Sequence, residues 1–207
     1  MKKQDMARSG FHFSLVALLS SLLLGCSTPV SIGYAPTTDS KIAKNISPSV
    51  RVAAFDDDRK NKGSDQIGSI RGGYGNPIYV LTVDQPVPQI VRNSFTQGLA
   101  ARGLLSDKND AQFILAGKVM RLDCNQYMRP EAHADFVVTL TDRQSGKIVA
   151  TKPVERDAVE GFTFAVGVFG SSDELKALTN KVLQQAVDDS LDGPEFAPYF
   201  ALSQPQN

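Results

Sequence analysis

Three places in this 207-residue sequence hold side chains capable of chemistry. The run Asp56-Asp57-Asp58-Arg59 clusters carboxylates that suit a hard cation such as calcium. An EF-hand loop would further need an oxygen ligand where Lys60 stands and glycine where Asn61 stands. The expectation is therefore a solvated strand end, with Asp56 or Asp58 salt-bridged or capping a turn. Glu131, His133 and Asp135 recur at every second residue, so a strand presents all three on the face opposite Phe136. Same-face neighbours are separated by about 6.6–6.8 Å of strand, too far to converge on zinc with bonds near 2 Å unless a bulge intervenes. A solvated face is expected, with no metal and no cofactor. Cys124 is in strand phase with Met120 and Leu122, which favours a buried, inert thiol over an intermolecular bridge. His133 is the only histidine after His12, and no G-x-S-x-G occurs. No catalytic residue is assigned and no enzyme is expected, because neither paired acids nor a nucleophile with its base can be written down.

Composition agrees with a binding or structural role. With 42% apolar and 21% charged residues the chain is an ordinary globular one, with room for a single domain. Twenty-two basic and 22 acidic side chains cancel, which leaves no broad cationic surface for phosphates and disfavours nucleic acid as a partner.

The elements that would position these residues follow from periodicity. Ser49 to Asp56 and Ile78 to Val83 read as strands, and Arg59 to Asn76, with five glycines, reads as loop. Val87, Val91, Phe95 and Leu99 recur every four residues and predict a helix, with Asp84 or a neighbour as its cap and Gly103 as its left-handed stop. Ala111 to Cys124 and Glu131 to Asp142 are long strands. A hairpin over Asp142 to Lys147 leads to Ile148 to Glu155, which Pro153 confines to an edge. Ser171 and Glu174 have capping-box spacing before the stripe Leu175, Leu178, Val182 and Ala186. The implied fold is α+β: a largely antiparallel sheet packed on one face by two amphipathic helices, a two-layer sandwich. It should occupy residues 48–200, with a disordered tail at 201–207.

The amino terminus reads as an address. Lys2, Lys3 and Arg8 precede 14 mostly apolar residues from Phe11 to Leu24, too short to span a hydrocarbon core that needs roughly 20. Leu23-Leu24-Gly25-Cys26 resembles the lipobox of bacterial prolipoproteins. That resemblance implies removal of residues 1–25, a diacylglyceryl group on the Cys26 thiol and an acylated new amino terminus. Three fatty chains make an effectively permanent membrane anchor. Ser27, standing where Asp retains enteric lipoproteins in the inner membrane, implies the outer membrane, facing the periplasm. Losing Lys2, Lys3, Arg8 and Asp5 leaves the mature chain with a net charge of −2, so the lipid rather than headgroup charge does the anchoring. Residues 26–47 read as the lipidated cysteine and a tether, which narrows to Ser27–Pro29 if the alternation of Val30, Ile32 and Tyr34 marks a short strand.

The uncharged stretch Gly161 to Gly170 is either a core segment under the last helix or an apolar lip touching lipid or a partner through Phe162, Phe164 and Phe169. The order of elements, with V-R-V-A-A-F-D-D-D-R at Val50 to Arg59 and L-A-A-R-G-L at Leu99 to Leu104, resembles the YajG-type family of uncharacterised bacterial lipoproteins. A second resemblance is to periplasmic accessory lipoproteins of lipid-transporting ABC systems. Both imply attachment to the membrane and an envelope protein partner, and neither supplies an activity or an oligomeric state.

Overall fold

Two long stretches alternate buried and part-exposed residues almost throughout, the period of strands covered on one face, and they frame the domain. The computed structural model describes residues 27–36, 49–60, 63, 65–106, 111–161 and 171–201. In chain order its elements are β1 (Ser27–Val30), β2 (Val50–Asp57), β3 (Gln66–Arg71), β4 (Pro77–Val83), α1 (Val87–Ala101), β5 (Phe113–Gln126), β6 (Pro130–Asp142), β7 (Ile148–Val159), α2 (Ser172–Leu191) and α3 (Ala197–Ala201).

The strands form one mixed sheet in the order β1-β4-β3-β5-β6-β7, with β2 also paired to β5. The long ladders β5–β6 and β6–β7 and the β3–β4 pair are antiparallel, whereas β1–β4, β2–β5 and β3–β5 are parallel. This is the expected α+β sandwich, with α3 as a third, short helix. Pro153 lies in β7, an edge strand, where its missing N–H costs no ladder bond on the open side.

The helices cover one face. Val87, Val91, Phe95 and Leu99 of α1 and Leu175, Leu178, Val182 and Ala186 of α2 are all buried. Each of the larger ones, the valines, leucines and Phe95, contributes on the order of 1.5–3 kcal/mol on removal from water. At the centre Phe95 stacks on Phe55 at 5.1 Å and meets Phe136 edge-on at 6.2 Å, which ties α1 to β2 and β6. Ser171 accepts the Glu174 N–H at 3.4 Å, as the capping-box spacing predicts, and Gly103 ends α1 with φ of 69°. The start of α1 differs from expectation. Pro86, not Asp84, holds the cap position and makes no side-chain bond there.

The glycine-rich stretch also differs, because it contains β3. Its reason is non-local: Gly68 lies against β5, and a Cβ built on it would stand 1.8 Å from the Cys124 carbonyl oxygen. Only glycine lets β3 approach β5 here. The acidic run caps the end of β2 with ion pairs, Asp57 to Arg59 at 2.8 Å and Asp58 to Lys118 at 3.0 Å. Gly68→Ala should therefore destabilise the domain by about 3 kcal/mol, at the upper end for overpacking. A fall in the urea midpoint at unchanged slope measures it, and a midpoint equal to wild type would show that β3 does not depend on this contact.

Candidate functional site

The sequence-predicted site residues Leu23, Leu24, Gly25 and Cys26, and the contact residues Phe162, Phe164 and Phe169, lie outside the described residues. What the structure does define is how the chain is held immediately after Cys26. Ser27 pairs with Val80 and the register continues to Val30 opposite Val83. Ser27 to Pro29, expected as tether, are strand. Their Ser-Thr-Pro composition is a weak strand signal, and the open edge of β4 supplies the partner that composition does not reveal.

Beyond β1 the chain continues as a strap over α2. Val30, Ile32 and Tyr34 turn inward while Pro29, Ser31 and Gly33 face out, which is the alternation seen in the sequence. The strap's backbone bonds go to side chains: the Gly33 N–H donates to Asn180 Oδ1 and the Ala35 N–H to Gln184 Oε1, each at 3.0 Å. The Tyr34 hydroxyl donates to Asp188 Oδ1 at 2.7 Å.

Arg102, just past α1, closes this arrangement with a side chain only 1% exposed. Its Nε and Nη2 donate to the two oxygens of Asp192 at 2.8 and 2.7 Å, a bidentate pair. Nη2 also reaches Asp188 at 3.0 Å, and Nη1 donates to the Gly98 carbonyl at 3.1 Å and to the Tyr34 hydroxyl at 3.3 Å. Burial alone would lower the Arg102 pKa, but the hydrogen bonds it donates to Asp192, Tyr34 and Asp188 raise it above its ordinary value. Burial, followed by the hydrogen bond to Asp188, raises Tyr34. Sequence reasoning missed this cluster. A signal existed, since Asp188, Asp189 and Asp192 sit at a helix C-terminus, where the dipole disfavours anions and calls for a cation from elsewhere.

A cleft of about 660 Å³ opens along β5 between the end of β2 and the start of β3, with Lys60, Arg71, Met120, Arg121, Asp123 and Asp135 among its lining. Arg59 is buried beside it, donating to Asp57, Gln66 O and Gly63 O. The cleft's Ser69 hydroxyl donates to Asn125 at 3.3 Å rather than to a base. Burial pushes the Cys124 thiol up to about 11, so it is protonated and weakly nucleophilic at neutral pH. Asp135 is also raised, by burial and then by Glu155, and its Oδ1 is buried without a hydrogen-bond partner. Glu131, His133 and Asp135 do share one face of β6, where His133 contacts Asp157 across the β6–β7 pair. Among the described residues no group of His, Cys, Asp and Glu is arranged to hold a metal ion. Among its lining residues no nucleophile is paired with an activating base. No helix among the described residues is long and apolar enough to cross a membrane.

Solved structures share this α+β fold. Protein XCC0632 from Xanthomonas campestris, assigned to the family model DUF330, superposes with a TM-score of 0.58 over 86% of this chain and 97% of its own, at 15% identity. An uncharacterized protein matches with a TM-score of 0.50 over 78% of this chain and 97% of its own, at 11% identity. Lipoprotein GNA1162 from Neisseria meningitidis covers 67% of this chain and 96% of its own at 13% identity, but its TM-score of 0.30 is too low to carry an argument. No family model and no curated protein matches the sequence. At these identities the likeness establishes the fold alone.

Two outcomes follow from the buried groups. Arg102→Met should cost about 3 kcal/mol, the low end for breaking a buried pair, since Asp188 and Asp192 keep partial solvent contact. Tyr34→Phe should cost about 1 kcal/mol, the net value of one hydrogen bond. Chemical denaturation checks both, and equal losses would contradict the hub role of Arg102. Separately, the Cys124 pKa is raised from 9.0 to about 11, so the folded state holds a proton that the unfolded chain releases. Its contribution is intact below pH 9 and is lost as pH rises to about 11. Wild type should therefore lose on the order of 2–3 kcal/mol more than Cys124→Ala across that window. Parallel curves for the two would refute the assignment.

Proposed function

We propose that the protein is a bacterial envelope lipoprotein of the YajG-type group, anchored through acylated Cys26 in the outer membrane. Its body faces the periplasm and serves binding or assembly rather than catalysis. The observation that carries this reading is the junction at the anchor: the lipobox ends at Cys26, and Ser27, one peptide bond further, is already in register with Val80 in the sheet. The residue that follows the cysteine at which the motif implies the mature chain begins is thus already part of the sheet. Near-neutral charge and the cleft's lack of an activated nucleophile support a non-catalytic role.

Cys26→Ser should move the protein from the membrane pellet to the soluble periplasmic fraction and abolish labelling by a palmitate analogue. Retention in the pellet, or labelling unchanged, would overturn the anchor. Crosslinking in intact cells followed by identification of the bound proteins separates the two family resemblances. Components of a lipid-transporting ABC system among them would favour the accessory-subunit reading.

A further inference from the structure

Strand directions gather one end of the molecule around the anchor. β3 and β5 run toward this end, and the turn at Gly72–Asn76 and the link from Gln126 to Pro130 close it. β7 also runs toward it, since Val159 pairs with Glu131. β1 is parallel to β4 and starts here, with Ser27 opposite Val80 and one residue from the level of Tyr79. Six of the eight large apolar side chains exposed among the described residues lie at this end: Tyr74, Ile78, Tyr79, Tyr127, Met128 and Val159. Of the other two, Met120 is in the cleft and Ile148 is at the opposite end.

The two loops brace each other. The Tyr127 hydroxyl donates to Gly73 O at 3.2 Å, and Arg71 donates to Gly75 O at 3.0 Å and to Asn125 at 3.2 Å. Tyr74 extends beyond them, fully exposed, and Met128 is 65% exposed. Arg71 is thus occupied, Arg129 is paired with Glu131 at 3.2 Å and Glu160 is exposed beside Pro130; around these charges the surface offers aromatic rings and apolar tips. Such side chains suit the boundary between lipid headgroups and acyl chains, where amphipathic rings bury their faces and keep their hydroxyls wet.

We propose that this strand-end surface rests in the headgroup layer of the membrane that holds Cys26, so that the sheet stands with its strands steeply inclined to the bilayer. The inference rests on the lipoprotein reading above. Its geometric basis is that Ser27 is pinned by strand pairing, so no slack separates the acylated residue from the neighbouring strand ends. From β1 to β5 is three strand spacings, about 14 Å. A bilayer in contact with Cys26 therefore meets Tyr79, Tyr74 and Tyr127 within the footprint of the domain. A protein partner seated on the same rings is the competing occupant.

The chain contains no tryptophan, so Tyr74→Trp introduces a unique fluorophore at a side chain that packs on nothing. Gln144→Trp, in the exposed hairpin at the other end, is the control. Each variant, purified as the cell processes it, is reconstituted into phosphatidylethanolamine–phosphatidylglycerol vesicles with or without brominated acyl chains. Brominated lipid should quench the Tyr74→Trp protein roughly two-fold, as insertion by about 5–10 Å would require, and leave the Gln144→Trp protein unchanged. Vesicles that float with bound protein while Tyr74→Trp is unquenched would overturn the membrane-facing surface and favour a protein occupant. Equal quenching of both would overturn the upright orientation. Protein that fails to float, with an unmodified Cys26 by mass spectrometry, would overturn the anchor itself and this surface with it.

Discussion

The buried guanidinium of Arg102 is the interaction on which the arrangement of the domain depends. Three segments far apart in sequence meet at it: the strap through Tyr34, the end of α1 through Gly98, and the end of α2 through Asp188 and Asp192. Each brings a problem of its own. The last carbonyls of α1 lack intrahelical donors, and the two aspartates sit at the unfavourable pole of the α2 dipole. One planar cation with five N–H donors answers both. The helices can come this close because Gly98 leaves room, since a Cβ there would lie 2.8 Å from Leu191 Cδ1. Ion pairs of this kind add less to net stability than their geometry suggests. Their effect here is to fix how α1, α2 and the strap lie relative to one another.

β5 has a comparable role within the sheet. A single edge of it receives β2 over its first half, ending at Val119, and β3 over its last residues from Cys124. The four residues between those pairings have no strand beside them on that edge, and the cleft opens there. Arg59 bridges the crossing chain by holding the Gly63 and Gln66 carbonyls, so the gap is framed by ordered backbone on both sides. The cleft is thus a product of topology: two strands that are too short to fill one long edge.

How far the sequence discloses this depends on whether the cause is local. The stripes of α1 and α2, the alternation of β5 and β6, the Ser171 cap and the left-handed Gly103 all arise from neighbours a few residues away, and they are legible. β3 is not, because the glycine that reads as loop is required by the Cys124 backbone 56 residues later. β1 is not, because Ser-Thr-Pro becomes strand only when β4 offers its edge. The partners of Arg102 lie 86 and 90 residues away, and no periodicity reports such a distance. For the proposed anchor the position is reversed: Leu23 to Cys26 is read from the sequence alone, and the structure contributes only the pairing of the next residue, Ser27, in the sheet.

The strap has a consequence for how the molecule is made. Gly33, Tyr34 and Ala35 find their partners 147 to 154 residues downstream, on the penultimate helix. A polypeptide emerges amino end first, so residues 33–35 must wait for these partners until nearly all the rest has been delivered, although β1 just before them can pair with β4 sooner. Closing so large a loop comes late and carries a high entropic cost. Folding would then end with the strap being latched down, and an intermediate arrested before that step would leave the flank of α2 uncovered.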